Sequence, residues 1–349
     1  MSEKKGRIEF VDLAKGFSIL VVVFYHVFIT CDASFFFNDL ITKIMIPPFY
    51  VLSGMFFKKY EGFVGFTLRK INKLLIPFMF FYLFLTVPYT MAKLWNSGMS
   101  LSSIVYTSVF GLYFKDFING KTWFLFSLFV TSLLFYFIYV ISEKFKEYKV
   151  PAMIILSLAV GFTGVFLGQS FTDLPAYIDS SLSAIPLYCF GYLLNKHSNV
   201  LRANKMDKYN ILIIIIILVG LYYIPGKCQF VTNHYYLHFS LIYPCCCLGA
   251  LSIILLAKVI KSIRWFNYIG KYTIILLLLH EPVYVLVLKV LNYLGIDNAY
   301  TKALICLVIT MGILTLLIPV CVRWLPYVTA QKDLIKVSRY VDVSNKSNS

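Results

Sequence analysis

The sequence predicts an all-α, polytopic integral membrane protein with about ten transmembrane helices and both termini in the cytoplasm. Of its 349 residues, 60% are hydrophobic and 14% are charged, and the mean hydropathy is +0.78. Soluble domains are typically about half apolar and about a quarter charged. Apolar runs long enough to cross a bilayer recur along the chain. Composition and run length therefore predict the fold class.

About ten spans follow from the apolar runs, taken in chain order. They cover residues 10–30, 41–57, 74–94, 123–142, 151–168, 181–195, 209–224, 235–257, 272–291 and 301–324. The spans at 181–195 and 209–224 are short, and the apolar stretch 101–114 could be re-entrant. The count therefore lies between roughly nine and eleven.

The basic residues predict the orientation. With the N-terminus inside, only seven of the 32 Lys and Arg residues fall in or beside outer links: Lys43, Lys93, Lys115, Lys121, Lys227, Lys289 and Lys302. Basic residues concentrate in cytoplasmic links of membrane proteins. We therefore expect a membrane domain over residues 1–330, retained without signal cleavage, and a polar cytoplasmic tail over 331–349.

Composition excludes several classes of function. The net charge of +16 is spread over short links and forms no single basic surface, which argues against nucleic acid. The eight cysteines show no CxxC pair and no ligand spacing with histidine, so neither a metal site nor a disulfide framework is indicated. Cys245, Cys246 and Cys247 are consecutive, point in different directions around a helix and are interpreted as small apolar residues.

The first span contains an unusual set of ionisable residues: Asp12, Lys15 and His26. Lys15 precedes His26 by eleven residues, which is about 16 Å along a helix and within roughly 40° of the same face. This arrangement would hold a long anionic cofactor by its charged end and bring its other end to a neutral base. The alternative is a signal-anchor helix in which His26 only bonds a neighbour. The spacing leaves both interpretations open.

Two further stretches have both a structural and a functional interpretation. Pro47 and Pro48 interrupt a span just before Ser53, which indicates either an ordinary kink or a cavity. Arg69, Lys70 and Lys73 precede another span, which indicates either cytoplasmic topology or a clamp for phosphate groups.

The ninth span contains His280 and Glu281 at about 14 Å from Lys271 along a helix. The two side chains point about 100° apart, so we expect them to face different surroundings. Ionisable residues at this depth usually face a protein interior or a wet cavity. His234 and His238 lie near the outer surface with no carboxylate or cysteine to complete a metal site, and we interpret them as interfacial residues.

The order of these motifs resembles the membrane-bound acyltransferase 3 family. The pieces are FVDLAKGFSILVVVFYH, PPFYVLSGMFF, RKINKLLIP, KTWFLFSLF, IPLYCFGYLL and IGKYTIILLLLHEPV, from Asp12 to about Pro282. Lys15 and His26 fit the family's first motif, a basic residue, ten others and then histidine. Lys70 and Lys73 occupy the positions of its paired arginines. Lysine keeps the positive charge but cannot make the two parallel hydrogen bonds of a guanidinium group. His280 matches its late His-x-Pro element.

The resemblance implies O-acylation, usually acetylation, of a cell-surface or lipid-linked glycan from cytoplasmic acyl-CoA. It implies a general base at His26, with Asp12, His280 and Glu281 also in the catalytic set and Asp12 paired with Lys15. Lys15, Arg69, Lys70 and Lys73 would hold the phosphates of acetyl-CoA, and an acyl-histidine intermediate stays open. The implied location is the bacterial cytoplasmic membrane, in contact with lipid, as the standalone form without an extracytoplasmic domain.

Two other classes of function stay open at this point. A polytopic transporter or flippase for a glycan precursor would use His26, His280 and Glu281 as a proton relay. A structural partner in a polysaccharide export complex would tolerate substitution of His26. The sequence does not identify the acceptor, the acyl group or the oligomeric state.

Overall fold

The computed structural model describes residues 9–95, 97–114, 122–170, 174–197 and 207–337. Its helices are α1 (Glu9–Thr30), α2 (Asn38–Ile44), α3 (Pro47–Met55), α4 (Phe63–Lys70), α5 (Ile76–Phe81), α6 (Val87–Trp95), α7 (Leu101–Phe114), α8 (Trp123–Glu143), α9 (Lys149–Gln169), α10 (Ile178–Ser183), α11 (Ile185–His197), α12 (Asp207–Tyr223), α13 (Ile242–Ile260), α14 (Arg264–Lys271), α15 (Thr273–Tyr293) and α16 (Ala299–Trp324). Two-residue strands β1 (Cys228–Gln229) and β2 (His234–Tyr235) pair antiparallel and are the only sheet in these ranges.

Several predictions fall outside the described residues. They concern the basic N-terminal residues 2–7, Lys115, Lys121, Arg202, Lys205 and the tail from residue 338 onward.

Within the described ranges, seven helices are long and apolar enough to cross a membrane. They begin at Glu9, Phe63, Trp123, Lys146, Phe239, Thr273 and Ala299. Each coincides with a predicted span, which confirms a multi-pass helical membrane protein. Apolar runs predict these helices well because a backbone in hydrocarbon must satisfy its hydrogen bonds within one segment.

The other three predicted spans are broken or short. The span at 41–57 is divided into α2 and α3 before Pro47, where the sequence predicts an interruption. The span at 181–195 is divided between α10 and α11, and the span at 209–224 corresponds to the 17-residue α12. The stretch 101–114 forms a separate helix, α7.

The helix from Phe63 to Trp95 is continuous and contains two π-helical turns, Ile71–Leu75 and Tyr82–Thr86. Each turn ends two residues before a proline, at Pro77 and Pro88. Proline lacks an N–H, and its ring clashes with the carbonyl four residues earlier. A widened turn relieves that clash without ending the helix. The basic residues predicted to bind phosphate therefore flank an irregular part of this helix.

Helix α1 lies at the centre of the fold, packed against α3, α13, α14, α15 and α16. Its contact with α14 depends on two glycines. A β-carbon at Gly16 would overlap the carbonyl of Phe266, and one at Gly270 would overlap the carbonyl of Asp12. This close crossing places the residues after Gly270, including the start of α15, beside the Lys15 turn of α1.

The two ends of α9 mark opposite sides of the fold. Near its start, Glu143 accepts hydrogen bonds from Lys59 at 2.7 Å and Lys149 at 3.1 Å. At its other end, Gln169 donates to the carbonyl of Tyr235 at 2.6 Å and so contacts the hairpin β1–β2. A helix of 21 residues spans about 31 Å. Lys59 and Lys149, here called the lysine cluster, and the hairpin therefore lie on opposite faces of the membrane.

The segment after α16 folds back onto the membrane domain. The side chain of Asn72 bonds both the N–H and the carbonyl of Ile335, at 2.9 and 2.8 Å. Lys73 binds the carboxylate of Asp333 at 3.0 Å and the carbonyl of Ala330 at 3.0 Å. The first residues of the predicted polar tail are thus attached to the π-helical turn.

Candidate functional site

Two histidines from different helices meet inside the bundle. The rings of His26 on α1 and His280 on α15 are stacked, with centroids 5.4 Å apart and planes 24° apart. His280 is 1% exposed, whereas His26 is half-buried. The sequence predicts each histidine separately, and the structure brings them together. Two imidazoles in one buried site offer two groups that accept or donate protons near neutral pH.

The backbone of α15 fixes the tautomer of neutral His280. Its Nδ1 lies 2.8 Å from the carbonyl of Leu277 and 3.2 Å from that of Leu276. Carbonyl oxygens only accept hydrogen bonds, so Nδ1 carries the proton. The lone pair of the neutral ring is then on Nε2. A histidine oriented in this way is preorganised as a proton acceptor.

An inner cavity of about 170 Å³ lies beside the first turns of α15, before His280. Its polar lining comes from Lys15, Lys271, Ser53 and Thr273. Its apolar lining includes Phe49, Leu52, Leu74, Phe124, Leu125, Leu128, Ile274 and Leu277. Since Leu277 is one helical turn before His280, the cavity leads from two cations towards the histidine pair.

A smaller outer pocket lies on another face of α15. It has a volume of about 40 Å³ and is lined by Leu85, Thr86, Tyr89, Thr122, Leu278, Glu281, Pro282 and Val285. Tyr89 lies in α6, and Thr122 immediately precedes α8. Glu281 lines this pocket, whereas its neighbour His280 stacks on His26. The two adjacent residues therefore face different surroundings, as their helical spacing predicts.

Asp12 lies in the first turn of α1 and away from the histidines. It is buried at the α1–α14 crossing, with 7% of its surface exposed. It precedes His26 by fourteen residues, which is about 21 Å along a helix. Asp12 is therefore too far from His26 to share its reacting atoms. Its place beside the Lys15 turn suits a positioning role at the cavity mouth.

Two of the three clustered basic residues on α4 and the following turn are engaged at the surface. Arg69 binds Glu61 at 3.0 Å and lies over the ring of Tyr60, 4.5 Å from its centroid. Lys73 binds Asp333, and both of these side chains are about half exposed. These contacts hold Arg69 and Lys73 on the rim and outside the inner cavity lining.

Lys70 borders the inner cavity without lining it. Its ammonium donates to the hydroxyl of Tyr188 at 3.3 Å and lies 5.3 Å from the ring centroid of Phe66. Leu74, about one turn further along the helix, lines the cavity. The structure therefore separates the basic cluster, with Lys70 turned towards the interior and its two neighbours at the surface.

Lys271 is the site residue that the sequence interpretation missed. Its place in a basic link made it a topology marker, yet it shares the cavity lining with Lys15. Lys271 is the last residue of α14, two residues before α15 begins. Its position in the cavity depends on how α14 crosses α1, so spacing along the chain gives no signal for it.

His234 and His238 do not belong to this site. His234 lies in β2, and the Nδ1 of His238 is 2.8 Å from the hydroxyl of Ser240. Both lie with the hairpin on the face opposite to the lysine cluster.

Comparison with protein families places these residues within one conserved type of domain. The acyltransferase domain model of the acyltransferase 3 family matches residues 8–324. Neither curated proteins nor solved structures give a match. The matched range contains all eight residues that the sequence predicts for the site, together with Lys271.

Proposed function

The chain belongs to the acyltransferase 3 family, and on that premise we propose that it transfers an acyl group from cytoplasmic acyl-CoA to a hydroxyl of a cell-surface or lipid-linked glycan. Acetyl is the group that the family resemblance implies. The family match confirms the prediction of a membrane acyltransferase. The donor, the acceptor and the base are our proposal for this chain.

One observation carries the proposal: His280, stacked on His26, belongs to the same helix, α15, that lines a cavity with two lysines and a pocket with a carboxyl group. A transferase that takes its donor from one side of a membrane and its acceptor from the other needs a reaction centre between two openings. We propose that His26 and His280 form that centre.

The size of the inner cavity decides which part of the donor it would take. Pockets for drug-sized ligands are about 300–1,000 Å³, and this cavity holds about 170 Å³. It suits the slim acyl-pantetheine arm and is too small for a nucleotide. The nucleotide would remain at the cytoplasmic mouth, where Lys271 is exposed. Lys15 and Lys271 would bind phosphate groups there, with Lys70 beside them.

Arg69 and Lys73 would give a second, weaker contribution at the rim. Their ion pairs are at least partly exposed, and exposed pairs are worth only about 0–1 kcal/mol. An incoming phosphate could therefore exchange with Glu61 or Asp333 at little cost. Asp12, three residues before Lys15, would position that lysine.

The chemistry requires one base and one displaced thiolate. His26 would take the proton of the acceptor hydroxyl as its oxygen forms a bond to the thioester carbonyl carbon. The carbon–sulfur bond then breaks, and the proton passes from the imidazolium to the leaving thiolate. His280, with its proton held on Nδ1, would hold His26 in place by stacking and is the alternative base.

The outer pocket would admit the acceptor. Its volume of about 40 Å³ suits a single hydroxymethyl group more than a whole sugar ring. Glu281, Tyr89 and Thr122 supply the acceptors and donors that recognise hydroxyl groups.

The proposal includes the orientation of the chain in the bacterial cytoplasmic membrane. Both termini would be cytoplasmic, which gives ten crossings if the three broken or short segments also span. A membrane-impermeant maleimide should label Asp297→Cys and should not label Lys146→Cys in intact cells. Both positions are exposed. The opposite labelling would reverse the orientation.

The deciding experiment has two parts. Surface glycan from cells with and without the protein is compared for ester-linked acetyl groups, and purified protein is tested for acetyl-CoA binding. We expect acetylation only with the protein, and saturable binding of acetyl-CoA. A transporter would move glycan without binding acetyl-CoA, so absence of binding by well-folded protein would overturn the proposal.

A further inference from the structure

Two buried cysteines meet at the outer end of the fold. The sulfur atoms of Cys228, in β1, and Cys246, in α13, are 3.5 Å apart. Both residues have no exposed surface. Cys246 is the middle one of three consecutive cysteines, and the rotation of the helix directs it alone to a sulfur–sulfur contact with Cys228. The sequence does not show this pair, because it depends on how the hairpin folds over α13.

The hairpin that contains Cys228 is attached to the bundle at several points. The N–H of Cys228 donates to Thr42 on α2 at 3.1 Å. Asn233, at the turn, accepts from Ser183 at 2.7 Å and donates to the carbonyl of Gly164 at 2.8 Å. These bonds connect the hairpin to α2, α9 and α10. A link to α13 would complete its attachment on all sides.

We propose that Cys228 and Cys246 form a disulfide as the protein matures. A disulfide needs a sulfur–sulfur distance of about 2.05 Å. At 3.5 Å the two sulfurs are already in contact, so a short further approach of the two side chains would bring them to bonding distance. The proposal rests on the proposed orientation, which places the hairpin on the non-reducing side of the membrane.

The reaction balances as a thiol–disulfide exchange. Two thiols lose two protons and two electrons, and a new sulfur–sulfur bond forms. An extracytoplasmic dithiol oxidoreductase in its disulfide form accepts the electrons and becomes a dithiol. Since both cysteines are fully buried in the folded protein, the exchange must take place before the hairpin closes over α13.

Counting thiols in the denatured protein tests the proposal. Loss of a disulfide partner raises the count without reductant, whereas misfolding of a variant does not. The chain has eight cysteines, so the paired protein should show six thiols when it is denatured without reductant and alkylated. Reduction should raise the count to eight. Cys228→Ser should release Cys246 and raise the unreduced count from six to seven. The control Cys306→Ser should lower it to five.

The result that overturns the proposal is equally definite. Eight thiols in the unreduced wild type, falling to seven in Cys228→Ser, would show that the pair stays reduced. Peptide mapping of the wild type identifies the linked residues even if a variant does not accumulate. Acetyl-CoA binding measured on the same preparation separates this outcome from a failure of the proposed function.

Discussion

The inner cavity and the outer pocket flank the same helix but differ in charge and size. The inner cavity is about 170 Å³ and has two lysines in its lining. The outer pocket is about 40 Å³ and has one carboxyl group and no cation. An anionic, elongated ligand suits only the first, and a neutral hydroxyl compound suits the second. From this difference we propose that the two sides of the site serve different substrates.

His280 lies on the helix that lines both regions and stacks on His26, so removal of the proposed base should have the largest effect. We expect His26→Ala to lower acyl transfer by about 10² to 10⁴, because the loss of a general base typically costs that much. Binding of acetyl-CoA should be nearly unchanged, since the lysines that would hold its phosphates remain. The measurement is acetyl transfer at matched protein levels, with binding measured in parallel.

His280→Ala sharpens the same prediction. If His280 only positions His26, its loss should cost less than the loss of His26. His238→Ala serves as the control, because this exposed histidine lies at the hairpin. Near-normal acyl transfer by His26→Ala would show that His26 is not the base. The variant that loses more activity, His26→Ala or His280→Ala, identifies the ring that takes the proton.

The sequence predicts the separate parts of this site better than their arrangement. Spacing within a single helix predicts Lys15 below His26, and the ordered motifs predict His280. Local periodicity cannot show that α14 crosses α1 at Gly16 and Gly270, and that crossing brings Lys271 to Lys15. The same limit applies to the fold, where apolar runs predict the long helices and miss the division of a span after Ser183.

The next largest effect should come from the inner cavity. Replacing Lys15 and Lys271 together by glutamine should weaken acetyl-CoA binding about tenfold or more. A hydrogen bond to a charged group contributes about 1.5–3 kcal/mol, and each 1.4 kcal/mol corresponds to about tenfold in affinity. The Michaelis constant for the glycan should change little, because the outer pocket is untouched.

A double substitution of Lys144 and Lys146 by glutamine is the matched control. Both residues are exposed and absent from the cavity lining, and their replacement changes the net charge by the same amount. Equal binding losses in both double variants would show a general charge effect and would remove Lys15 and Lys271 from the donor site.

A smaller effect is expected at the outer pocket. Glu281→Gln keeps the shape of the side chain and replaces its carboxyl group by an amide. A typical hydrogen bond contributes about 0.5–1.5 kcal/mol, so the Michaelis constant for the acceptor should rise about two- to tenfold. Binding of acetyl-CoA should be unchanged, and Glu147→Gln, at an exposed site outside both linings, should alter neither. A change in donor binding alone would assign Glu281 to the inner side.

The smallest effect should come from Arg69 and Lys73 at the rim. Sequence and structure differ there on how strongly Lys73 would bind phosphate. The motif frame favours Lys73 as a phosphate ligand, whereas in the structure it binds Asp333. A short sequence motif cannot show that ion pair, because Asp333 lies far along the chain from Lys73. We expect Arg69→Gln with Lys73→Gln to weaken acetyl-CoA binding less than about threefold, since each exposed ion pair must first be exchanged for the phosphate.

One single variant, compared with the rim double variant, identifies the cause of any larger loss. Asp333→Asn releases Lys73 from its ion pair and leaves its charge in place. Binding should then stay equal or improve slightly, because the lysine no longer has to leave a carboxylate. If the rim double variant instead lost tenfold or more while Asp333→Asn bound more tightly, the phosphates would lie at the rim. The inner lysines would then only shape the channel that leads to the histidines.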